Sequence, residues 1–213
     1  ITTCGTGMCG SSLAPLHPEK IEDFKRDAST FLPLYKNLEI NWRTFKEYLA
    51  EMEKIPVPLN LVFFVGYENV RIAGGASYEN RLPTSEELQK MKEYISEAME
   101  AGAFGMSTGL IYSPQMYAQT EEILELARVV ADYDGLYFSH IRDEGRAVTE
   151  AVREFIEIVE KSGCRGGQIA HHKISGRPYW GTSRETLQLI EEANIRGVSI
   201  TIDSYPYNRG CSS

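Results

Sequence analysis

Short apolar runs rich in β-branched and aromatic residues recur along the chain, at 59–65, 103–106, 136–139, 167–170 and 198–202. Stretches with helical spacing lie between them. Over 85–101 the apolar positions Leu88, Met91, Tyr94/Ile95 and Ala98/Met99 fall three or four apart, which places them on one helical face. Thr84-x-x-Glu87 opens that segment as a capping box, in which each side chain satisfies a free backbone donor. Gly102 closes it, glycine being the residue best suited to a left-handed C-terminal turn. The stripe Ile123, Leu126/Ala127, Val130 predicts a helix over 120–132, and Val148, Ala151/Val152, Phe155, Ile158/Val159 predicts one over 146–162. Thr182-x-x-Glu185 predicts the start of a last helix, with Leu187, Ile190 and Ala193 inward and Gly197 at its end. Strand and helix alternate, which is the pattern of a parallel sheet with crossover helices.

The period narrows the architecture. Ser107, His140, His171 and Asp203 each fall at or just past the end of a strand run, at separations of 33, 31 and 32 residues. In a βα barrel chemistry collects at the C-terminal rim of the strands, whereas a doubly wound sheet gathers it near one switch point. Four consecutive polar strand ends favour the barrel. With an opening run at 1–6 there are six strands, two short of an eight-stranded barrel. The segment 11–58 is long for one connection and contains a helix-like stretch at 42–54. The segment 66–83 reads as a glycine-spotted rim loop of the kind that covers a site.

Composition sets the class. The chain has 213 residues, 42% apolar and 24% charged, enough for one core and far from disordered or collagen-like sequences. Its net charge of −8 opposes a phosphate backbone, so no nucleic-acid partner is expected. No apolar run approaches the roughly 18 residues that cross a bilayer, and no leader pattern opens the chain. Four cysteines are too scattered for a disulfide scaffold, and the expectation is a soluble, cytoplasmic protein. The chain starts at Ile1, without an initiator Met, and stops just after a strand-like run. Both ends read as cuts in a longer protein, with 1–213 as a single partial barrel domain.

Candidate chemistry centres on the histidines. A strand-end histidine alone is usually a satisfied structural residue. Two of them, His140 and one of His171-His172, stand on successive strands about 4.7–4.9 Å apart, where imidazoles can converge on one metal at about 2.0–2.1 Å. Cys9, in Gly7-Met8-Cys9-Gly10, is either a small buried hydrophobe or a third ligand, since thiolate and imidazole both suit zinc. Cys4 falls inside a strand, and Cys164 and Cys211 have no His or Asp at ligand spacing. Gly105-Met106-Ser107-Thr108-Gly109 matches a nucleophile elbow in pattern, but that elbow needs a helix immediately after it, and helical spacing resumes only at Thr120. Lys173 and Tyr205 fall on the same rim, as loop residues or as a grip on a substrate carboxylate. Arg142, Asp143 and Glu144 read equally well as a local ion-pair cluster.

Several of these runs, taken together, resemble the D-aminoacylase (N-acyl-D-amino-acid deacylase) branch of the amidohydrolases: Thr2-Thr3 with Gly7-Met8-Cys9-Gly10 and Leu13-Ala14-Pro15, the stretch 102–112, His140-Ile141-Arg142-Asp143-Glu144, Ile169-Ala170-His171-His172-Lys173 and Asp203-Ser204-Tyr205-Pro206-Tyr207. The resemblance runs through the whole chain. It implies an incomplete (β/α)8 TIM-like barrel carrying approximately strands 2 to 7. It implies zinc (Zn2+) held by Cys9, His140 and His171, the cysteine replacing a bridging lysine or glutamate that 105–109 does not offer. His171 is preferred to His172 because, if Ala170 points outward, strand alternation aims the next residue at the rim. The implied reaction is zinc-assisted hydrolysis of N-acyl-D-amino acids to a carboxylate and a D-amino acid, with Lys173 and Tyr205 holding the α-carboxylate.

The chain departs from the family pattern in two places. It contains neither the first-strand His-x-His pair nor the eighth-strand aspartate that acts as general base, and Asp203 belongs to a different motif. Tyr67 stands where the family commonly has a histidine, which would change how the acyl group is met. The expectation is therefore an active parent protein and an inactive chain in isolation. The alternatives are a zinc-binding barrel fragment without catalysis and a cyclic-amide hydrolase of the dihydroorotase type. Open barrel edges predict self-association of the isolated chain.

Overall fold

The computed structural model describes residues 1–31 and 33–209, so Cys211 lies outside the described residues. Six strands, β1 (Thr3–Thr6), β2 (Asn60–Gly66), β3 (Gly105–Gly109), β4 (Leu136–His140), β5 (Gly166–Ile169) and β6 (Ile200–Ile202), form one sheet. Every neighbouring pair is parallel and the spatial order is the sequence order. Sequential parallel strands joined by helices produce a curled, incomplete βα barrel, as the alternation predicts.

The helices are α1 (Ile21–Phe31), α2 (Phe45–Met52), α3 (Tyr67–Gly74), α4 (Ser85–Ala101), α5 (Thr120–Ala131), α6 (Val148–Ser162) and α7 (Ser183–Ile195). The capping box of α4 forms as read: Thr84 Oγ1 accepts from the Glu87 amide at 3.2 Å and Glu87 Oε2 accepts from the Thr84 amide at 2.7 Å. Its buried face is Met91, Ile95, Ala98 and Met99, the predicted stripe. In α6, Val148, Ala151, Val152, Phe155, Ile158 and Val159 are buried, and Phe155 stacks on Tyr137 of β4 at 5.3 Å between centroids. These apolar faces and the outward side chains of the strands make one continuous core. Among the described residues no helix is long and apolar enough to cross a membrane.

Three readings are corrected. The segment 66–83 is not a simple loop, because α3 occupies its first half. Thr182 does not cap α7: its backbone is already helical, and its hydroxyl donates to the Tyr179 carbonyl at 2.7 Å instead. Ser107 does not stand on the rim but lies fully buried inside β3. Cys4 does sit within β1, where it is exposed.

Candidate metal centre

The turn that carries Cys9 is fixed before any ligand is considered. Cys9 has a φ of 55°, between Gly7 and Gly10, each at 79°. A β-carbon on Gly7 would lie 2.0 Å from the Phe64 carbonyl oxygen, and one on Gly10 would lie 1.9 Å from Gln115 Oε1, so only glycine fits either place. Ser107 clamps the turn from β3, accepting from the Gly10 amide at 3.0 Å and donating to the Gly7 carbonyl. Gln115 closes it from above, accepting from the Gly109 amide at 2.6 Å and donating to the Cys9 carbonyl at 3.0 Å. The serine of the elbow-like motif is thus consumed in holding a loop, and no nucleophile is exposed there.

His140 is the last residue of β4. His171 lies two residues beyond β5, in a turn where its φ is 35°. That left-handed turn, rather than continued strand alternation, sends its ring to the rim. His172 goes the other way, buried, with Nε2 2.9 Å from Thr186 Oγ1. The ligand-type atoms of Cys9, His140 and His171 all lie within 4.8 Å of one another. Cys9 Sγ is 3.8 Å from His171 Nε2, and the two imidazole centroids are 4.3 Å apart at 77°.

Donor chemistry fits a cation. His140 Nε2 is buried with no hydrogen-bond partner, an arrangement that leaves a lone pair facing the cluster at a real energetic penalty. Its Nδ1 is 3.1 Å from the Tyr112 hydroxyl. Burial pushes His140 down to about 4, so the ring is neutral at physiological pH, the form that ligates. His171 is raised to about 9 by its contact with Cys9 and then by Glu144, the response of an imidazole that faces a thiol and a carboxylate. Its Nδ1 is 3.1 Å from Glu144 Oε1. A metal would displace the proton from Nε2, which faces the cysteine, while Nδ1–H stays on the carboxylate, the usual support of a metal-binding histidine.

Glu144 is the residue that sequence reasoning undervalued. Burial opposes its charge, yet hydrogen bonds from His171 and Lys173 outweigh burial and hold the carboxyl below its ordinary value. The neighbours that read as one ion-pair cluster have three separate jobs. Arg142 forks onto Glu154 of α6 at 2.8 and 2.9 Å, Asp143 accepts from the Gly145 and Ala147 amides, and Glu144 alone turns inward. Lys173 Nζ donates to Glu144 Oε1 and to the His171 carbonyl at 3.1 Å, and it also lies 3.0 Å from His171 Nδ1. It also sits 5.4 Å from the centroid of Tyr205, whose ring is 6.3 Å from that of His171. Lys173 and Tyr205 therefore stand together beside His171.

Other candidates fall away from the site. Asp203 Oδ1 accepts from Gln168 Nε2 at 2.8 Å. Tyr67 is fully buried and donates to Glu122, so it meets no substrate; its neighbour Glu68 faces a cavity of about 900 Å3 that runs from Cys9, His171 and Tyr112 toward Phe24 and Tyr35. The sulfur of Cys164 is buried against the Ala127 carbonyl.

No family model matches the chain. A D-aminoacylase of Alcaligenes xylosoxydans xylosoxydans is 36% identical over 213 residues, covering 99% of this chain and 42% of that protein. The crystal structure of an N-acyl-D-glutamate deacylase from Bordetella bronchiseptica, complexed with zinc and a phosphonate mimic of the tetrahedral intermediate, superposes with a TM-score of 0.85 at 36% identity. That match covers 97% of this chain and 42% of the other. A D-aminoacylase structure described for its binuclear metal centre superposes at 0.80 with 32% identity, over the same shares of the two chains. In sequence and in fold the chain is similar to D-aminoacylases, and it spans about two fifths of the length of the relatives it matches.

Proposed function

We propose that the protein carrying this chain is a zinc-dependent hydrolase of N-acyl-D-amino acids, and that Cys9, His140 and His171 hold the metal. One observation carries the reading: three ligand atoms from three different strand ends converge, and one of them, His140 Nε2, is buried with no hydrogen-bond partner and only the Glu144 carboxylate 3.3 Å away. When bound at such a site, zinc supplies Lewis-acid polarisation of an amide carbonyl and makes water reactive near neutral pH. The chain's own residues do the rest of the positioning. Glu144 fixes the His171 tautomer, and the Tyr112 hydroxyl holds the ring of His140. The partly exposed ammonium of Lys173, with the Tyr205 ring 5.4 Å away, would take the substrate's α-carboxylate by a charge-assisted hydrogen bond. Zinc and a tetrahedral-intermediate mimic bound to the Bordetella relative support both metal and reaction type.

The deciding measurement is metal content by elemental analysis. About one zinc per chain is expected, largely lost in Cys9→Ala and His140→Ala and retained in Cys164→Ala. Equal zinc in all three variants would overturn the ligand assignment. Deacylation of N-acetyl-D-amino acids, assayed in the full-length protein, is expected to fall with the zinc.

A further inference from the structure

Arg71, on α3, is fully buried, an expensive place for a guanidinium unless every donor is used. Its charge is matched by Glu122 of α5, 3.0 Å from Nη1, with the Tyr67 hydroxyl 3.2 Å from the same nitrogen. Its other nitrogens leave α3 altogether. Nε donates to the Ser77 carbonyl at 3.3 Å, and Nη2 donates to the carbonyls of Glu79 and Arg81 at 3.0 and 2.7 Å. Three carbonyls within five residues converge on one side chain, and Ser77 is held at a φ of 49°. Inside this gripped segment lies Tyr78, which lines the cavity that opens from Cys9 and His171.

We propose that Arg71 is a positioning residue for the substrate: by gripping the backbone of 77–81 it sets Tyr78 as a wall of the cavity, which receives an uncharged apolar group of the substrate. The chemical class follows from the lining. Phe24, Tyr35, Phe64 and Tyr78 supply aromatic surface, no Lys or Arg lines the cavity among the described residues, and its one Asp or Glu is Glu68. Away from His171, a substrate group bearing a second carboxylate would meet no Lys or Arg among the described lining residues. The inference rests on the N-acyl-D-amino-acid reading above and says which part of such a substrate Arg71 governs.

Arg71→Lys keeps a charge beside Glu122 but removes the planar fork that reaches several acceptors at once. In the full-length protein it is expected to raise KM at least fivefold for an N-acyl-D-amino acid with a bulky aromatic group, with kcat within twofold. KM for a small-group substrate should stay within twofold. Tyr78→Ala should reproduce that pattern without touching the buried cluster. Hydrogen exchange read without substrate should show amides in 77–81 opening at least tenfold faster in Arg71→Lys, while those of β3 and β4 hold. Unchanged KM in both variants, or equal losses for large and small substrates, would overturn the positioning role. Unchanged exchange at 77–81 would overturn the grip itself. Absence of deacylase activity in the unaltered protein would instead remove the function reading, and with it the role toward substrate, leaving the grip to be judged by exchange.

Discussion

Glu144 shows how much a single side chain decides at this site. One carboxylate oxygen faces His171 Nδ1 and Lys173 Nζ, and lies 3.3 Å from His140 Nε2. Removing it leaves His171 free to choose the wrong tautomer and Lys173 without its counter-charge. Glu144→Ala is expected to weaken zinc binding by about 10–100-fold, the effect typical of lost outer partners, read by competition with a chromophoric chelator. Unchanged affinity would return Glu144 to the role of a local ion pair. The convergence of Cys9, His140 and His171 was legible, because they are unusual residue types at regular strand ends. Their supports were not. Gln115 and Tyr112 belong to no period, and nothing in Pro114-Gln115-Met116 signals a side chain that holds the Cys9 carbonyl from 106 residues away.

At the scale of elements, legibility followed amphipathicity. Helices α4, α5 and α6 have one apolar face and were readable. Helix α3 was hidden because it is buried nearly all round, with Asn69 and Arg71 among its buried residues and no side-chain cap at Gly66, so no polar face marks its period. The capping box that formed at α4 can be tested against the one that did not at α7. Thr84→Ala is expected to destabilise by about 1 kcal/mol, and Thr182→Ala by less, both in denaturant unfolding. Equal losses would deny the difference in cap geometry. Glu87 adds a pH dependence: hydrogen bonds from Arg81 hold its carboxyl down to about 2, with the pair at 2.6 and 2.7 Å. A depressed carboxyl stabilises fully above its ordinary value of 4.5 and loses that contribution as pH falls through about 2. The pair is partly solvated, so the effect is modest, and it should vanish in Glu87→Gln.

For the whole molecule, the parallel order and the rim were foreseeable because every βα unit repeats the same grammar. The corresponding exposure is at the sheet's edges. Among the described residues β1 and β6 pair on one side only, and the residues of β1 are exposed or half-buried. Unpaired edges recruit other strands, so the 213-residue chain on its own should self-associate in sedimentation at micromolar concentration. A monodisperse monomer would count against that expectation.

The short separation between Cys9 and His171 has a mechanical meaning. Their strands, β1 and β5, are four places apart, which in a flat sheet is about 19 Å at the usual inter-strand spacing. Here the sulfur and the imidazole nitrogen are 3.8 Å apart, across 162 residues of chain. A cation bound between them would act as a tie rod across the bow of the sheet, and it would resist flattening in a way that no hydrogen bond between neighbouring strands does. Because only the bowed form brings the ends of the rod together, metal binding and curvature would be thermodynamically linked. Each would hold the other in place.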